Sequence, residues 1–308
     1  AENFDYYYLN GLRNLCKSIN SINQIILENN IDLALSYLFK SDLISYFIKY
    51  DIVKICSIRN MITEEYVITY GKYIGSIMGV IHKYIIRKFD SIVIMSPEMF
   101  GLFKPIKVFN LKLIDNFLDE DELNNKLNDD SEDFMDVTKD RINLITISKI
   151  EERKNIKDLI KVTERLYADS YRFTTYIVGD GPNFEEISLK CKESKYNENY
   201  ILTGHLNNPY KLLNKSDIFV MTSKSEGVSR SLMEALYLKK ICIVSNISGN
   251  RKIINKSGGY IYDSIVDLYH ILKMVLSNID ANRDVDLHED YHMDNGIKKY
   301  DNLIKMHL

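Results

Sequence analysis

Short apolar segments alternate with segments of helical periodicity through residues 141–279, and this alternation restricts the fold more than any other feature of the sequence. Runs such as INLITI and DIFVM are typical of buried strands, whereas DLIKVTERL repeats its apolar residues at the spacing of an amphipathic helix. Strands that alternate with helices form parallel sheets that the helices cover. Residues 1–115 repeat the pattern more faintly. The sequence therefore predicts an α/β protein with two Rossmann-like domains.

The same periodicities give the bounds of the individual elements. In the first domain they predict helix 13–29, strand 31–36, helix 42–49, strand 51–58, one long helix over 65–88, and strand 90–95. In the second domain they predict strands 141–150, 172–182, 199–204, 217–223 and 241–245, with helices 155–167, 183–194, 209–216, 229–240 and 264–279.

A strongly acidic segment separates the two domains. Residues 116–140 carry ten acidic and two basic side chains and only a weak apolar pattern, which is typical of a surface connection. One exposed helix over 119–127 is the alternative within this segment. We therefore expect a first domain over 1–138, a second domain over 139–290, and a terminal segment over 291–308.

Composition excludes several other classes of protein. The sequence has no uninterrupted apolar stretch of about 18 residues, and its start shows no basic and apolar signal-peptide regions, so neither a transmembrane helix nor a signal peptide is predicted. The net charge of −3 argues against a dedicated nucleic-acid binder. The cysteines lie far apart in mostly apolar surroundings, which indicates reduced core thiols of a cytoplasmic protein and no zinc site; they are Cys16, Cys56, Cys191 and Cys242.

Charged and glycine-rich loops follow the predicted strands of the second domain, where open α/β sheets bind their ligands. Lys149 lies at the end of strand 141–150 and Lys154 follows it, and Gly179 and Gly181 form the glycine turn that ends strand 172–182. Cations and glycine turns in these positions suit an anionic ligand that also carries hydroxyl groups.

The segment SKSEGVSRSLMEAL (223–236) predicts a phosphate site at the start of a helix. Ser229 can cap this helix, which leaves the N–H groups of residues 230–232 pointing toward the loop, where they can bind a phosphate. Glu226 and Glu234 flank the site, and their carboxylates can accept hydrogen bonds from sugar hydroxyls. The alternative for Glu234, taken alone, is a solvated helix glutamate.

Five collinear segments closely resemble family 4 glycosyltransferases of the GT-B fold. Glu226 and Glu234 form an E-x7-E spacing inside EGVSRSLMEAL, and the other segments are ISKIEERKN, VGDGP, ILTGHLNNPYKLLNKSDIFVMTS and ISGNRKII. DIVKICSIRN, KFDSIVIMSPEM and LIDNFLD resemble strands in the acceptor domain of bacterial members. The resemblance implies two parallel sheets that face each other across a cleft, and a terminal helix over 291–308 that crosses back to the first domain.

The resemblance also implies a reaction. A hexose-type sugar would pass, with retention of its anomeric configuration, from a nucleoside-diphosphate sugar to a glycan or lipid-linked acceptor. The product would be a surface polysaccharide or glycoconjugate such as capsule or O-antigen. UDP is the favoured nucleotide, and guanosine is left open. Neither a metal ion nor a cofactor is expected, because lysines and a helix terminus would neutralise the diphosphate. Epimerases and phosphorylases on the same fold lack support, because no well-placed catalytic histidine or cofactor lysine motif is present.

The residue roles follow from the same resemblance. Glu226 would contact the transferred sugar, and Glu234 would hold the ribose hydroxyls. Lys149 and Lys154 occupy the family's R-x4-K positions, which neutralise the diphosphate, although a lysine at 149 lacks the bidentate fork of an arginine. The other donor-binding positions are His205 and Leu206 beside the base, Gly179 and Gly181, the backbone of Gly227, Val228 and Ser229, and the N–H groups of Arg230, Ser231 and Leu232.

Two departures from the family pattern concern the first domain. Arg59 stands where members commonly carry a histidine; it can meet donor phosphate or acceptor, but a permanently charged guanidinium cannot act as a general base. No strand with a glycine-rich loop precedes Gly11, so the sequence predicts a first domain that is incomplete at its start. The alternative function is therefore a non-catalytic nucleotide-sugar-binding partner, or an inactive fragment of such an enzyme.

The segment 66–89 combines an apolar surface with four basic residues, Lys72, Lys83, Arg87 and Lys88. One interpretation is a helix that lies on a membrane surface. The other is a core helix with a solvated basic edge. The first interpretation predicts peripheral contact with the inner face of the cell membrane.

Overall fold

The computed structural model describes residues 15–59, 61–95, 99–103, 110–129, 137–138, 140–282 and 284–308. The chain forms two compact units, one from the residues up to Asp115 together with 299–308, and one from residues 116–298. Each unit is built on one parallel sheet, as the sequence predicts.

The first unit has a four-stranded parallel sheet in which neighbours along the chain are neighbours in the sheet. Its strands are β1 (Leu33–Tyr37), β2 (Val53–Ile58), β3 (Ser91–Ile94) and β4 (Leu111–Leu113). Its helices are α1 (Leu15–Asn29), α2 (Leu38–Tyr46), α3 (Ile62–Tyr70), α4 (Lys72–Ile86) and α5 (Phe100–Phe103). Ile55 of β2 and Val93 of β3 form the buried centre of this sheet.

The single helix predicted over 65–88 is wrong, because the structure has the two helices α3 and α4 in its place. Gly71 lies between them with a φ of 82°, a left-handed conformation that ends a helix and that glycine adopts at little cost. The two helices pack so closely that a Cβ atom on Gly75 would lie 2.4 Å from the backbone of Tyr66. One glycine inside a long helical pattern gives only a weak signal of such a break.

A buried polar network fixes this helix pair to the rest of the first unit. The Asp42 carboxylate, fully buried on α2, accepts a hydrogen bond from the Ser36 hydroxyl at 2.5 Å and contacts Nε2 of His82 at 2.7 Å. Nδ1 of the same histidine contacts the Tyr66 hydroxyl at 2.8 Å. Since buried polar groups are stable only when they are paired, the network ties α3 and α4 to α2 and β1.

The second unit has a six-stranded parallel sheet in the order β10-β9-β8-β5-β6-β7. Its strands are β5 (Ile142–Ile147), β6 (Phe173–Val178), β7 (Tyr200–Gly204), β8 (Ile218–Met221), β9 (Ile241–Ser245) and β10 (Tyr260–Tyr262). Its helices are α6 (Glu120–Leu127), α7 (Ile156–Ala168), α8 (Phe184–Glu193), α9 (Tyr210–Lys215), α10 (Arg230–Tyr237), α11 (Ser248–Ser257) and α12 (Ile265–Ser277). Of these, α11 and β10 have no counterpart among the predicted elements.

A large apolar cluster holds this sheet to α7 and α12. Leu144 of β5 and Ile243 of β9 are fully buried, and they share the cluster with Leu159 of α7 and Leu272 of α12. Full burial of one such side chain contributes about 1.5–3 kcal/mol. The cluster therefore gives the strands a rigid base, and the polar loops extend from their C-terminal ends.

The described part of the acidic segment packs on the second unit. Asp119 caps α6 by accepting a backbone hydrogen bond at 2.8 Å, and Leu123 of this helix is buried. Asn124 donates a hydrogen bond to the Tyr237 hydroxyl at 2.9 Å. The compact units consequently divide after Asp115, whereas the acidic composition predicts a boundary near residue 138.

The last helix, α13 (Met293–Lys305), lies within the predicted terminal segment. Residues 299–308 belong to the first unit, where Leu303 is buried in the core and His307 contacts the Ser91 hydroxyl at 2.8 Å.

Two further observations bear on the composition arguments. Three cysteines are buried thiols, but Cys16 is exposed, so it is not part of a core. In the described ranges, no helix is both long enough and apolar enough to cross a membrane.

Candidate functional site

The strand order of the second unit reverses at its centre. Starting from β5, the chain adds β6 and β7 on one side and then returns to add β8, β9 and β10 on the other side. The loops that leave β5 and β8 therefore diverge from neighbouring strand ends, which is where open α/β sheets bind ligands. These two loops, 148–155 and 222–229, carry most of the predicted site.

Glu226 joins the two loops through ion pairs with adjacent cations. The ammonium group of Lys154 donates to Oε1 of Glu226, and a guanidinium nitrogen of Arg153 lies 3.1 Å from Oε2. Only 10% of the Glu226 side chain and 13% of the Lys154 side chain are exposed. Of Glu226, Lys149 and Lys154, which the sequence predicts to act on the sugar and the diphosphate, the structure thus brings Glu226 and Lys154 together.

The cations determine the charge state of Glu226. Burial by itself raises the pKa of the Glu226 carboxyl, but Lys154 and then Arg153 outweigh burial and hold that pKa below its ordinary value. The carboxylate is therefore ionised at neutral pH and can accept hydrogen bonds from hydroxyl groups.

Arg153 is a member of the site that the sequence prediction does not include. Its guanidinium donates to the Ser225 carbonyl at 2.6 Å and to Glu151 at 2.8 and 3.2 Å, in addition to its contact with Glu226. Its backbone carbonyl accepts a hydrogen bond from the N–H of Lys224 at 2.9 Å. The available signal was its position directly before Lys154, in a loop already predicted to carry cations.

Lys149 occupies a different position from Lys154. Its side chain is 66% exposed, and its ammonium group lies 3.5 Å from Glu151. Lys149 therefore lies on the solvent-exposed side of the loop, and it pairs with Glu151, which also pairs with Arg153.

Helix α10 begins where the prediction places it. Ser229 is the N-cap, and its hydroxyl accepts from the N–H of Leu232 at 3.5 Å and lies 3.2 Å from the Ser231 hydroxyl. Arg230 opens the first turn with an exposed side chain, whereas Leu232 and Val228 are buried. Glu226 lies shortly before α10 in the same loop, and the cap uses the N–H of Leu232, one of the three groups predicted to meet a phosphate.

Glu234 lies on the buried side of the same helix, so the solvated alternative is wrong. Only 6% of the residue is exposed, its Oε1 accepts a hydrogen bond from the Tyr210 hydroxyl at 3.3 Å, and Nε of Arg230 lies 3.9 Å away. Burial raises the pKa of this carboxyl, and Arg230 lowers it by less. The site therefore has two carboxylates in opposite electrostatic environments.

Glycines allow the neighbouring loops to approach closely. Gly179, with a φ of 131°, would place a Cβ 1.8 Å from the Ser148 carbonyl oxygen, and its N–H donates to the Gly204 carbonyl at 2.8 Å. Gly181 also lies close to the backbone of Ile150, since a Cβ atom on it would lie 2.4 Å from the Ile150 carbonyl oxygen. His205 is exposed and Leu206 half-buried, directly after β7.

Gly249 is a further close contact that sequence reasoning missed. A Cβ atom at this position of α11 would lie 1.7 Å from the carbonyl oxygen of Gly227 and 2.9 Å from that of Glu226. The backbone of α11 therefore supports the loop that carries Glu226.

Arg59 belongs to the other compact unit. Its guanidinium carbon lies 4.7 Å from the centre of the Tyr37 ring, a cation–π contact. Its side chain is exposed at the end of β2, and the neighbouring Asn60 lies outside the described residues.

The sequence contains two D-x-D spacings, at 119–121 and 284–286, a pattern that can bind metal ions but that here lies in acidic stretches. Asp119 caps α6, and Asp286 pairs with Lys239 at 2.6 Å. Among the side chains that the structure describes, no group of three or more His, Cys, Asp or Glu residues is arranged to hold a metal ion.

Comparison with protein families finds a match over most of the second unit. Residues 128–275 match the family model described as glycosyl transferases group 1. The chain is 27% identical over 203 residues to an uncharacterized glycosyltransferase of Methanocaldococcus jannaschii, covering 64% of this chain and 49% of that protein. It is 32% identical over 93 residues to N-acetylgalactosamine-N,N'-diacetylbacillosaminyl-diphospho-undecaprenol 4-alpha-N-acetylgalactosaminyltransferase of Campylobacter jejuni, covering 30% of this chain and 25% of that protein. The chain thus spans half or less of the length of these relatives.

Solved structures give the fold. Sucrose-phosphate synthase of Thermosynechococcus elongatus superposes with a TM-score of 0.76 at 13% identity, over 96% of this chain and 78% of that one. HepE of Anabaena, in complex with UDP-glucose, superposes with a TM-score of 0.73 at 13% identity, over 96% of this chain and 84% of that one. With the two parallel sheets, these neighbours establish the GT-B fold, and the sequence matches support a glycosyltransferase.

Proposed function

We propose that this chain is a retaining glycosyltransferase that moves a hexose-type sugar from a nucleoside-diphosphate sugar to a glycan or lipid-linked acceptor. The observation that carries the proposal is the cluster of Glu226, Lys154 and Arg153, which lies in the loops that leave β5 and β8, where the strand order reverses, with Glu226 in the loop that leads into α10. A diphosphate needs cations and free N–H groups, and a sugar needs buried acceptors for its hydroxyls. The cluster supplies both within a few residues.

In the proposed reaction, the cations and the helix N–H groups act on the diphosphate, and the two glutamates act on the sugar and the ribose. The negative charge that builds on the departing diphosphate would be stabilised by Lys154, by Lys149 and by the N–H groups at the start of α10; removal of one such donor typically costs about 10²–10³ in rate. Glu226 would orient the sugar by accepting from its hydroxyls, and Glu234 would accept from the ribose. No metal ion is needed in this scheme, because fixed positive groups neutralise the leaving group.

The donor we favour is a UDP-sugar. The HepE neighbour was crystallised with UDP-glucose, which supports uridine for a site on this fold, and guanosine stays open. The Campylobacter relative is named for transfer to a diphospho-undecaprenol-linked sugar, which supports a lipid-linked acceptor and a role in the synthesis of surface polysaccharide such as O-antigen or capsule.

A lipid-linked acceptor would require contact with the inner face of the membrane, and α4 offers a suitable surface. One side of this helix exposes large apolar side chains one turn apart: Tyr73 at 83%, Ile77 at 62%, Val80 at 70% and Tyr84 at 56%. The basic residues Lys72, Lys83, Arg87 and Lys88 lie on or directly after the same helix. An apolar face with basic residues beside it fits an anionic lipid surface.

The experiment that tests the proposal is a thermal-shift panel of UDP, GDP, ADP and CMP with the wild-type chain and Glu234→Ala. Saturation at about 100 times the dissociation constant adds about 2.7 kcal/mol of stability. We expect a shift with one nucleoside diphosphate that the variant loses. Binding without transfer of the corresponding sugar to any glycan or lipid-linked acceptor would favour the alternative, a non-catalytic nucleotide-sugar-binding partner. No shift with any nucleotide would contradict both.

A further inference from the structure

The ion-pair cluster around Glu226 has an excess of positive charge. Glu151 and Glu226 contribute two carboxylates, and Lys149, Arg153 and Lys154 contribute three cations. Glu226 itself contacts two of these cations through its two oxygens. One cation can therefore leave Glu226 without leaving the buried carboxylate uncompensated.

The two cations on Glu226 are held in different ways. The Arg153 guanidinium is fixed by the Ser225 carbonyl and by Glu151 as well as by Glu226, so its planar group is held from three directions. Lys154 donates from a single ammonium group on a flexible stem, which can turn toward another acceptor. Because removing the partner of a buried charge is strongly destabilising, the fixed cation determines whether the flexible one can move.

We propose that Arg153 is the permanent counter-ion of Glu226 and thereby releases Lys154 to the diphosphate of the donor. The proposal rests on the function proposed above, since it assigns the release of Lys154 to the arrival of a nucleoside diphosphate. Arg153 is then a positioning residue. It acts through Glu226 and Lys154 and does not touch the donor.

The double-mutant cycle of Arg153 and Glu226 tests this assignment. UDP binding would be measured by calorimetry for the wild-type chain, Arg153→Gln, Glu226→Gln and the double variant. In Arg153→Gln, Lys154 has to stay on the buried Glu226, so we expect UDP to bind about tenfold more weakly. In the Glu226→Gln variant there is no carboxylate at position 226, so Lys154 is free to contact the diphosphate whether or not Arg153 is present. Adding Arg153→Gln to this variant should therefore change UDP binding by less than about twofold.

Two further variants separate this role from simpler ones. Arg153→Lys keeps a positive counter-ion for Glu226, so we expect its UDP affinity to stay within about threefold of the wild type. This variant also allows the proposal to be tested if Arg153→Gln fails to fold. Lys161→Gln removes one charge from an exposed position on α7, where the lysine pairs with Asp158, and it should leave UDP binding unchanged.

The outcomes are distinct. Equal weakening by Arg153→Gln in both backgrounds would mean that the guanidinium contacts the diphosphate itself and would overturn the proposal. An unchanged affinity in Arg153→Gln, or a tenfold loss in Arg153→Lys, would overturn it too. If the wild-type chain binds neither UDP nor another nucleoside diphosphate, the proposed function fails first, and this proposal fails with it.

Discussion

The Tyr210 hydroxyl donates a hydrogen bond to Oε1 of Glu234 over 3.3 Å, and both side chains are buried. Burial raises the pKa of Glu234, and Arg230 at 3.9 Å lowers it by less. An ionised carboxylate in this position therefore reduces the stability of the folded state. Carboxylates with perturbed pKa values are typical of ligand-binding positions, which agrees with the ribose-binding role proposed for Glu234.

We expect Glu234→Gln to raise the free energy of unfolding at pH 8 and to weaken UDP binding about tenfold or more. The folded-state pKa of Glu234 is raised. The protonated carboxyl therefore contributes favourably to the free energy of unfolding below the unfolded-state pKa, and this contribution is lost as the pH rises through the folded-state pKa. The stability gain of the variant should therefore be larger at pH 8 than at pH 5. Urea unfolding at both pH values checks this, with Glu193→Gln on the exposed side of α8 as the control. A variant less stable than the wild type at pH 8 would contradict the argument.

Glu226 should show the opposite pH dependence. Burial raises its pKa, but Lys154 and Arg153 lower it by more, so its stabilising contribution is present above the unfolded pKa of about 4.3 and is lost as the pH falls through the lowered folded pKa. We expect Glu226→Gln to lose less stability than the wild type on acidification below pH 5. Its sugar-transfer rate should fall about 10- to 100-fold, because one charged acceptor for a sugar hydroxyl is gone. Unchanged transfer would remove Glu226 from the site.

Gly249 should tolerate no side chain. A Cβ atom there would lie 1.7 Å from the Gly227 carbonyl oxygen, a backbone atom that cannot move without displacing the Glu226 loop. We expect Gly249→Ala to destabilise the chain by about 1–3 kcal/mol and to weaken UDP binding. Gly101→Ala is the matched control, because no atom lies within 4 Å of its Cβ position, and it should change stability by less than about 1 kcal/mol. Equal urea midpoints for the two variants would refute the close approach.

The sequence predicts the second unit better than the first, and the reason is physical. The strands β5, β6, β8 and β9 are mostly buried in parallel ladders, so their apolar runs are nearly continuous. The E-x7-E spacing also identifies α10 from the sequence alone. Arg153 is absent from the predicted site because its role depends on a carboxylate 73 positions later in the chain. Gly71 escapes prediction because one left-handed residue decides between one helix and two. Leu123 ties the acidic segment to the second unit, a contact that composition does not reveal.

Asp42 should be essential to the stability of the first unit. Its carboxylate is fully buried and accepts from Ser36 and contacts His82, so Asp42→Ala leaves two buried polar groups without this partner. Each such group typically costs about 1–3 kcal/mol. Asp32→Ala is the control, because that aspartate is exposed. We expect the melting temperature to fall in Asp42→Ala and to stay within a few degrees of the wild type in the control; similar melting of the two variants would contradict the network.

The exposed face of α4 should bind anionic vesicles. Val80 is 70% exposed on this face, so Val80→Glu places a charge where the apolar contact with lipid would form, and we expect about tenfold weaker co-sedimentation with phosphatidylglycerol-rich vesicles. Leu189→Glu, at a residue 55% exposed on α8, is the matched control and should bind like the wild type. Lys83→Gln should weaken binding about fivefold at low salt and less at high salt, because each basic residue near an anionic surface contributes about 1 kcal/mol. Equal binding of Val80→Glu and Leu189→Glu to these vesicles would show that α4 is not the membrane-binding surface. If the wild type bound neutral phosphatidylcholine vesicles as strongly as anionic ones, the basic residues would not contribute to binding.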